Sequence, residues 1–519
     1  MAPVNEGVPK AGGRAAAPTT TAVTSAAGPS PACGSDFLQL DVAEAPAGGK
    51  ADWLTRRLRQ AIADGRLTVG SRLPATRVLA AELRVSRGVV TEAYRRLTED
   101  GQVEGRRRSG TVVVAAPAGP AAAAGSVPSE SPVTRQRAAP GALFAGEPGT
   151  DVFDALRTAP ARVDFTPGQP DLAAFPRAAW LRAERSVLAE LSHEHLGYGD
   201  PQGAMPLRRA VARWLAHSRG IRVQPAEVLI VAGTAQALTL LPPVLRADGI
   251  DSVAVEDPGS LGTRWHLHNG ALATPPVPVD EAGVRVDALR ATGARAALLT
   301  PAHQFPTGVV TRGERRRELL RWTEDGGLIL EDDYDAEHRY DRPPTPALRA
   351  LAADRICYLG SVSKLLAPAL RIGWMVPPSH YREALIDAKR FTDLGNAVLP
   401  QLVLARLMES GELERHLRVV RGRHRRRRDA MLGAVAGHLP GAVVHGAAAG
   451  LHLTVTYAAD VPDTELAAAA LDRGVKCQPL SWHRLRPGRP GLVLGYAATP
   501  PGVIADGLRT IGEALRELA

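Results

Sequence analysis

The stretch Gly360-Ser361-Val362-Ser363-Lys364 sets one amine behind two hydroxyls, directly after the apolar run Ile356-Cys357-Tyr358-Leu359. Arg371 follows seven residues later, and Asp332, in Glu331-Asp332-Asp333-Tyr334-Asp335, lies 32 residues upstream. A lysine amine forms a Schiff base with a carbonyl when burial and neighbouring cations hold its pKa low. Ser, Thr and Arg side chains are donors for a phosphate, and a carboxylate can keep a heterocyclic nitrogen protonated. Gly233-Thr234-Ala235-Gln236 adds a second phosphate signal, because it follows Val228-Leu229-Ile230-Val231 and opens a helix whose free N–H groups face an anion. A lone lysine after a strand is ordinarily a surface residue. The combination is what points to chemistry.

The elements that must position these residues alternate short β-rich runs with helical segments. Val228–Val231, Val253–Val255, Ala297–Leu299, Leu328–Leu330 and Ile356–Leu359 are the runs. Such alternation predicts an open α/β sheet, with ligand sites at the carboxyl ends of its strands.

A different chemistry is concentrated earlier. Residues 50–114 carry fourteen Lys or Arg against seven Asp or Glu, most of the chain's net charge of +9. A small domain with that excess suits a polyanion. Trp53 to Ala63 has helical apolar spacing and ends before Gly65, and a second short helix is expected from Thr76 to Leu83. The turn Arg84-Val85-Ser86 leads into a third, with Ser86 as its N-cap, running to about Leu97. Val89, Val90, Ala93, Tyr94 and Leu97 form its buried face and leave Arg87, Gly88, Thr91, Arg95 and Arg96 outside. Two helices joined by so short a turn make the helix-turn-helix that enters a major groove. Residues 101–114 then read as a hairpin with a basic tip, Arg106-Arg107-Arg108, able to reach phosphates or the minor groove.

With 519 residues the chain is too long for one ordinary domain, and 45% hydrophobic residues suffice for a sizeable core. Residues 1–35 are Ala, Pro, Gly, Ser and Thr, read as a disordered tail, and 116–160 as a Pro/Ala-rich linker. The expected domains are therefore 36–115, with the helix-turn-helix at about 76–97, and 161–519. Cys33, Cys357 and Cys477 lie far apart, which excludes a disulfide scaffold and a zinc-ligand spacing and fits a reducing cytoplasm. No membrane span or secretory signal is expected, and no metal site. The arginines from Arg421 to Arg428 read as the exposed face of a long helix.

The first domain resembles the GntR family of bacterial transcription regulators in "GSRLPATRVLAAELRVSRGVVTEAYRRLTEDGQV" and in the wing "RRRSGTVV". The resemblance implies that Arg77, Ser86, Arg87 and Gly110 contact DNA, with Thr91 and Arg95 beside them on the recognition helix. From about 163 to 510 the chain resembles fold-type I aminotransferases, and more closely the MocR/GabR-type regulators that join such a fold to a GntR domain. The matching stretches include "DFTPGQPDLAAFP", "YGDPQGAMPLRRAVARWL", "VAGTAQALTLL", "TPAHQFPTGVV", "LEDDYDAEHRY" and "YLGSVSKLLAPALRIGWM". This implies pyridoxal phosphate as cofactor and Lys364 as the catalytic Schiff-base lysine. It further implies Asp332 at the pyridine nitrogen, Tyr334 at the ring oxygen, and Thr234, Ala235, Ser361, Ser363 and Arg371 around the phosphate. Tyr198 corresponds to a residue that reaches the phosphate across a dimer interface, so a homodimer is implied.

Three positions depart from the family pattern. Ser260 stands where an aromatic would stack on the ring, which leaves Trp265 or His266 as substitutes. Phe305-Pro306-Thr307-Gly308 replaces Asn-Pro-Thr-Gly, which leaves Gln304 or His303 to contact the ring. Leu492-Val493-Leu494 occupies the late strand where relatives carry an Arg for a substrate carboxylate, so an orientation term is lost. The expectation is a cytoplasmic regulator that binds operator DNA and senses pyridoxal phosphate, or an amine or amino acid, regulatory rather than catalytic. The alternative is a working aminotransferase, amino acid to 2-oxo acid, that carries a DNA-binding module.

Overall fold

A computed structural model of the chain describes residues 38, 40–46, 48–106, 110–115, 140–340 and 345–519. They fall into two compact units, divided between Val133 and Thr134. The expected tail, the wing tip Arg107-Arg108-Ser109 and residues 116–139 of the expected linker lie outside the described residues.

The first unit has helices Lys50–Ala63, Thr76–Glu82 and Arg87–Glu99, then an antiparallel hairpin of Val103–Arg106 and Gly110–Val113. Apolar side chains at helical spacing explain its core: Trp53, Leu54, Leu58 and Ile62 meet Leu79, Val90, Tyr94 and Leu97. The Tyr94 hydroxyl donates to Pro74 O at 2.9 Å, a buried bond worth about 1 kcal/mol that ties the third helix to the preceding turn. Arg84 takes a left-handed φ of 50°, which reverses the chain within the short turn. Ser86 occupies the N-cap position, but its side chain makes no capping bond. Gly110, at φ 74°, starts the returning strand in a conformation that glycine adopts without strain.

The second unit is built on an eight-stranded mixed sheet. Its order runs Leu229–Val231, Gly373–Val376, Ile356–Ser361, Leu328–Asp333, Ala296–Leu299, Val253–Asp257, Pro276–Asp280, Gly283–Val284. The strand Gly373–Val376 is antiparallel to both neighbours, and the next five strands pair in parallel. The expected open α/β architecture is what forms. A smaller antiparallel sheet of Val443–His445, His452–Thr456, Gly491–Gly495 and Gln478–Pro479 packs with the helices Asp463–Asp472 and Pro501–Leu518.

Side-chain alternation along the central strands places the chemistry. Leu328, Leu330, Cys357 and Leu359 share a core with Leu238 and Leu241 of the helix Thr234–Ala247. Two residues further on, period two puts Asp332 and Ser361 on that same face, beside the start of the helix. Asp333 points the other way, to Arg219 Nε at 2.6 Å and the Tyr358 hydroxyl at 2.8 Å.

Part of the segment read as linker is structured. Pro140–Phe144 and Val152–Thr158 are helices, with Phe144, Val152 and Leu156 buried in the second unit's core. Phe144 stacks on Trp482 with ring centroids 5.2 Å apart, which holds a Pro-rich stretch that has few large apolar residues of its own.

Candidate functional site

A cavity of about 370 Å³ opens at the carboxyl ends of the central strands. Thr234, Ala235, Asp332, Tyr334, Ser361, Ser363, Lys364 and Arg371 line it. Eight of the nine cofactor-type residues predicted from sequence are thus brought together. Tyr198 is not among them: it is 93% exposed on the single chain.

Lys364 sits on the turn after Ile356–Ser361, and its Nζ donates to the carbonyl of Gly168. A Cβ at Gly168 would stand 3.0 Å from that amine, at a φ of 81°, so glycine is what fits there. Burial holds the amine below the ordinary lysine pKa, while Asp335 and Asp332 pull it back up. The Asp332 carboxyl is pushed up to about 7, first by burial and then by Asp333 and Asp335; Lys364 and Thr234 act against this. Its Oδ1 is buried without a hydrogen-bond partner. A buried carboxylate oxygen with no donor is costly, and a cationic N–H delivered into the cavity would satisfy it.

The phosphate-type donors gather at one end. Gly233, at φ 79°, precedes the helix that begins at Thr234, and Arg371 donates to the Ala232 carbonyl from a left-handed backbone, φ 51°. A Cβ on Gly233 would lie 3.3 Å from the Arg371 guanidinium. Ser361 is buried, and its Oγ accepts from Ser363 N at 3.3 Å. Helix N–H groups, hydroxyls and a guanidinium at one place form an anion site.

Tyr334 is held from behind. His303 Nδ1 lies 3.0 Å from the Tyr334 hydroxyl and 3.0 Å from Asp335 Oδ2. A carboxylate only accepts, so the Nδ1–H donates toward Asp335 and the tyrosine oxygen, and the phenol proton is free to point elsewhere. Burial and the nearby acids raise the phenol's pKa well above its ordinary value, which keeps that proton on.

The departures resolve unevenly. Ser260 caps the helix Leu261–Asn269, its Oγ accepting from Thr263 N at 3.3 Å and bonding to Thr263 Oγ1 at 3.0 Å. Of the two proposed substitutes His266 lines the cavity, whereas Trp265 packs edge-on against Phe153 at 5.6 Å. The expectation that Gln304 or His303 contacts the ring is corrected, because neither lines the cavity. Gln304 is fully buried and donates to the carbonyls of Pro258 and Phe305, and His303 is committed to Tyr334 and Asp335. Phe305 itself is the lining residue, with His452 5.1 Å away between ring centroids. Leu492, Val493 and Leu494 are buried and bring no guanidinium.

Residues that the sequence reading passed over also line the wall: Gly168, Glu256, Arg264 and His452. Gly168 lay inside the matching stretch "DFTPGQPDLAAFP", and Glu256 four residues before Ser260. Arg264 and His452 gave no local signal. His303, Asp335 and His452 bring ligand-type atoms within 4.8 Å of one another. Hydrogen bonds already engage His303 Nδ1, and His452 Nε2 lies 3.2 Å from Pro306 O. Of the arginine cluster, Arg425 and Arg426 are exposed, while Arg423 and Arg427 pair with the buried Asp171 at 2.9 Å each.

In the first unit Arg77, Ser86, Arg87, Thr91 and Arg95 are all exposed. Arg95 is bound to Glu92 and Glu99 on its own helix, and Arg96 to Asp52 and Glu92.

Residues 50–113 match the family described as bacterial regulatory proteins, gntR family, and residues 162–496 match aminotransferase class I and II. The chain is 33% identical over 471 residues to the probable rhizopine catabolism regulatory protein MocR of Rhizobium meliloti, covering 90% of this chain and 93% of that one. It is 29% identical over 465 residues to the pyridoxine biosynthesis transcriptional regulator PdxR of Corynebacterium glutamicum, covering 89% and 95%. Among solved structures, the alpha-aminoadipate aminotransferase LysN of Thermus thermophilus, complexed with N-(5'-phosphopyridoxyl)-L-leucine, superposes with a TM-score of 0.64. It is 29% identical and covers 70% of this chain and 94% of its own.

Proposed function

This chain belongs to the MocR-type regulators of the GntR family, and we propose that it couples operator binding to the occupancy of its aminotransferase-like cavity. The cofactor of that fold is pyridoxal phosphate. When bound, it supplies an aldehyde carbon and an electron-withdrawing ring.

One observation carries the reading: a pKa-lowered amine, Lys364, shares a cavity with a buried carboxylate, Asp332, that has an oxygen without a partner. In this reading Lys364 is the covalent anchor. Asp332 would face the ring nitrogen, where its unpartnered oxygen would accept the N–H and keep the ring protonated. Tyr334 donates to the ring oxygen, with His303 and Asp335 fixing its direction. Thr234, Ala235, Ser361, Ser363 and Arg371 take the phosphate, and Tyr198 of a second copy completes that end in a homodimer. The exposed Arg77, Ser86, Arg87, Thr91 and Arg95, with Gly110 at the wing, contact DNA. The domains would be 36–115 and, because the second core includes the helices at 140–144 and 152–158, 140–519 instead of 161–519, and the setting the cytoplasm; among the described residues no helix is long and apolar enough to cross a membrane.

A DNA-binding assay on the gene's own upstream region, with and without pyridoxal phosphate and candidate amines, tests the coupling. The expected result is an affinity that changes with cofactor or amine. Identical binding in every condition would refute the coupling. Steady conversion of an amino acid and a 2-oxo acid would instead support the aminotransferase alternative.

A further inference from the structure

Two guanidiniums line the cavity, in different company. Arg371 stands at the Gly233 turn and is hydrogen bonded to Ala232. Arg264 enters from the helix Leu261–Asn269, one turn after Ser260, and is half-buried. Among the described residues its guanidinium makes no hydrogen bond and no ion pair.

Its surroundings locate it. Arg264 feels the charge of Asp257, and its own charge acts on His483. Asp257 Oδ1 already accepts from Leu485 N at 2.8 Å. His483 stands edge-on to Phe305 with ring centroids 5.0 Å apart, and Phe305 contacts His452. Arg264 lines the cavity together with Phe305 and His452, while Arg371 is fixed at the Gly233 turn that precedes Thr234.

A guanidinium carries five donors in a planar fork, and half-burial takes water from them without replacing it. The partner that fits this fork best is a carboxylate, bound through two parallel bonds. The late strand, with Leu492, Val493 and Leu494, offers a carboxylate nothing. Resting on the sensing reading above, we propose that Arg264 is the acid clamp of the effector site. The effector is then an amine that also bears a carboxylate, its nitrogen toward Lys364 and its acid group on Arg264.

The test uses the full chain loaded with pyridoxal phosphate, titrated with matched pairs: β-alanine against propylamine, and alanine against ethylamine. The readout is the concentration that half-shifts the cofactor's visible spectrum. In at least one pair the amino acid is expected to act at a concentration lower by about tenfold or more than its carboxylate-free partner. Arg264→Gln should erase that preference and leave the plain amine's midpoint within about twofold, while Arg264→Lys, which keeps the charge but not the fork, should fall between. No preference in the wild type, or a preference kept by Arg264→Gln, overturns the proposal. So does an Arg264→Gln chain that no longer takes up cofactor, since Arg264 would then serve the cofactor itself. A wild-type chain that takes up no cofactor is a different failure, and removes the sensing reading along with this one.

Discussion

In the N-terminal unit Arg95 lies in water and shares its charge with Glu92 and Glu99; in the C-terminal unit Asp332 is buried and one of its oxygens has no partner. The consequences are opposite. Arg95 and Arg96 hold the Glu92 carboxyl down to about 2, so those surface charges persist across the whole physiological range and vary only with salt. Burial holds Asp332 at about 7, so its charge depends on pH and on what enters the cavity. One surface suits a polyanion met by many weak contacts, and the other a small ligand met by a few desolvated ones.

Substitutions can break that contrast, and the largest effect is expected in the cavity. Lys364→Ala should abolish the visible absorption band that follows the protein when it is mixed with pyridoxal phosphate. Asp332→Asn should weaken cofactor retention by about tenfold or more, measured by dialysis. The same variant carries a pH signature in the empty protein. A carboxyl whose folded pKa is raised stabilises the fold while protonated, and that contribution is lost as pH rises through about 7. Asp332→Asn should therefore gain thermal stability over the wild type as pH rises from about 4 to about 7, with the gap level above that and closed in acid. A gap that is independent of pH would show that Asp332 ionises normally.

Smaller effects belong to the DNA-facing unit. Arg87→Ala should weaken DNA binding and lower the slope of log affinity against log salt by about one. Arg95→Ala should change that slope less, because its charge is already offset by Glu92 and Glu99. Equal slope changes would mean that Arg95 releases its helix partners when DNA binds.

How far these two regions could be read from the chain follows from their physics. The helices of the first unit are local objects: apolar residues at helical spacing and the turn at Arg84 lie within a few residues of each other, and the observed ends differ from the expected ones by little. Asp332 and Ser361 were legible because each closes an apolar strand whose alternation dictates its face. What local pattern could not reveal is convergence. Arg264, Phe305 and His452 come from three distant segments and meet only in the fold. His303, adjacent to Gln304 in a recognisable stretch, turned out to support Tyr334 instead of facing the cavity, because Asp335 draws its Nδ1 inward. The helices at 140–144 and 152–158 were missed for the same reason, since their stability comes from Trp482 and the rest of a remote core.

Covalent capture at Lys364 is the claim on which the sensing role depends. It is tested most directly by mixing the full chain with pyridoxal phosphate, removing unbound cofactor by gel filtration and recording the visible spectrum of wild type and Lys364→Ala side by side. A band that travels with the wild-type protein and is missing from the variant is the predicted result. A colourless wild type, or a variant that keeps the band, would contradict it.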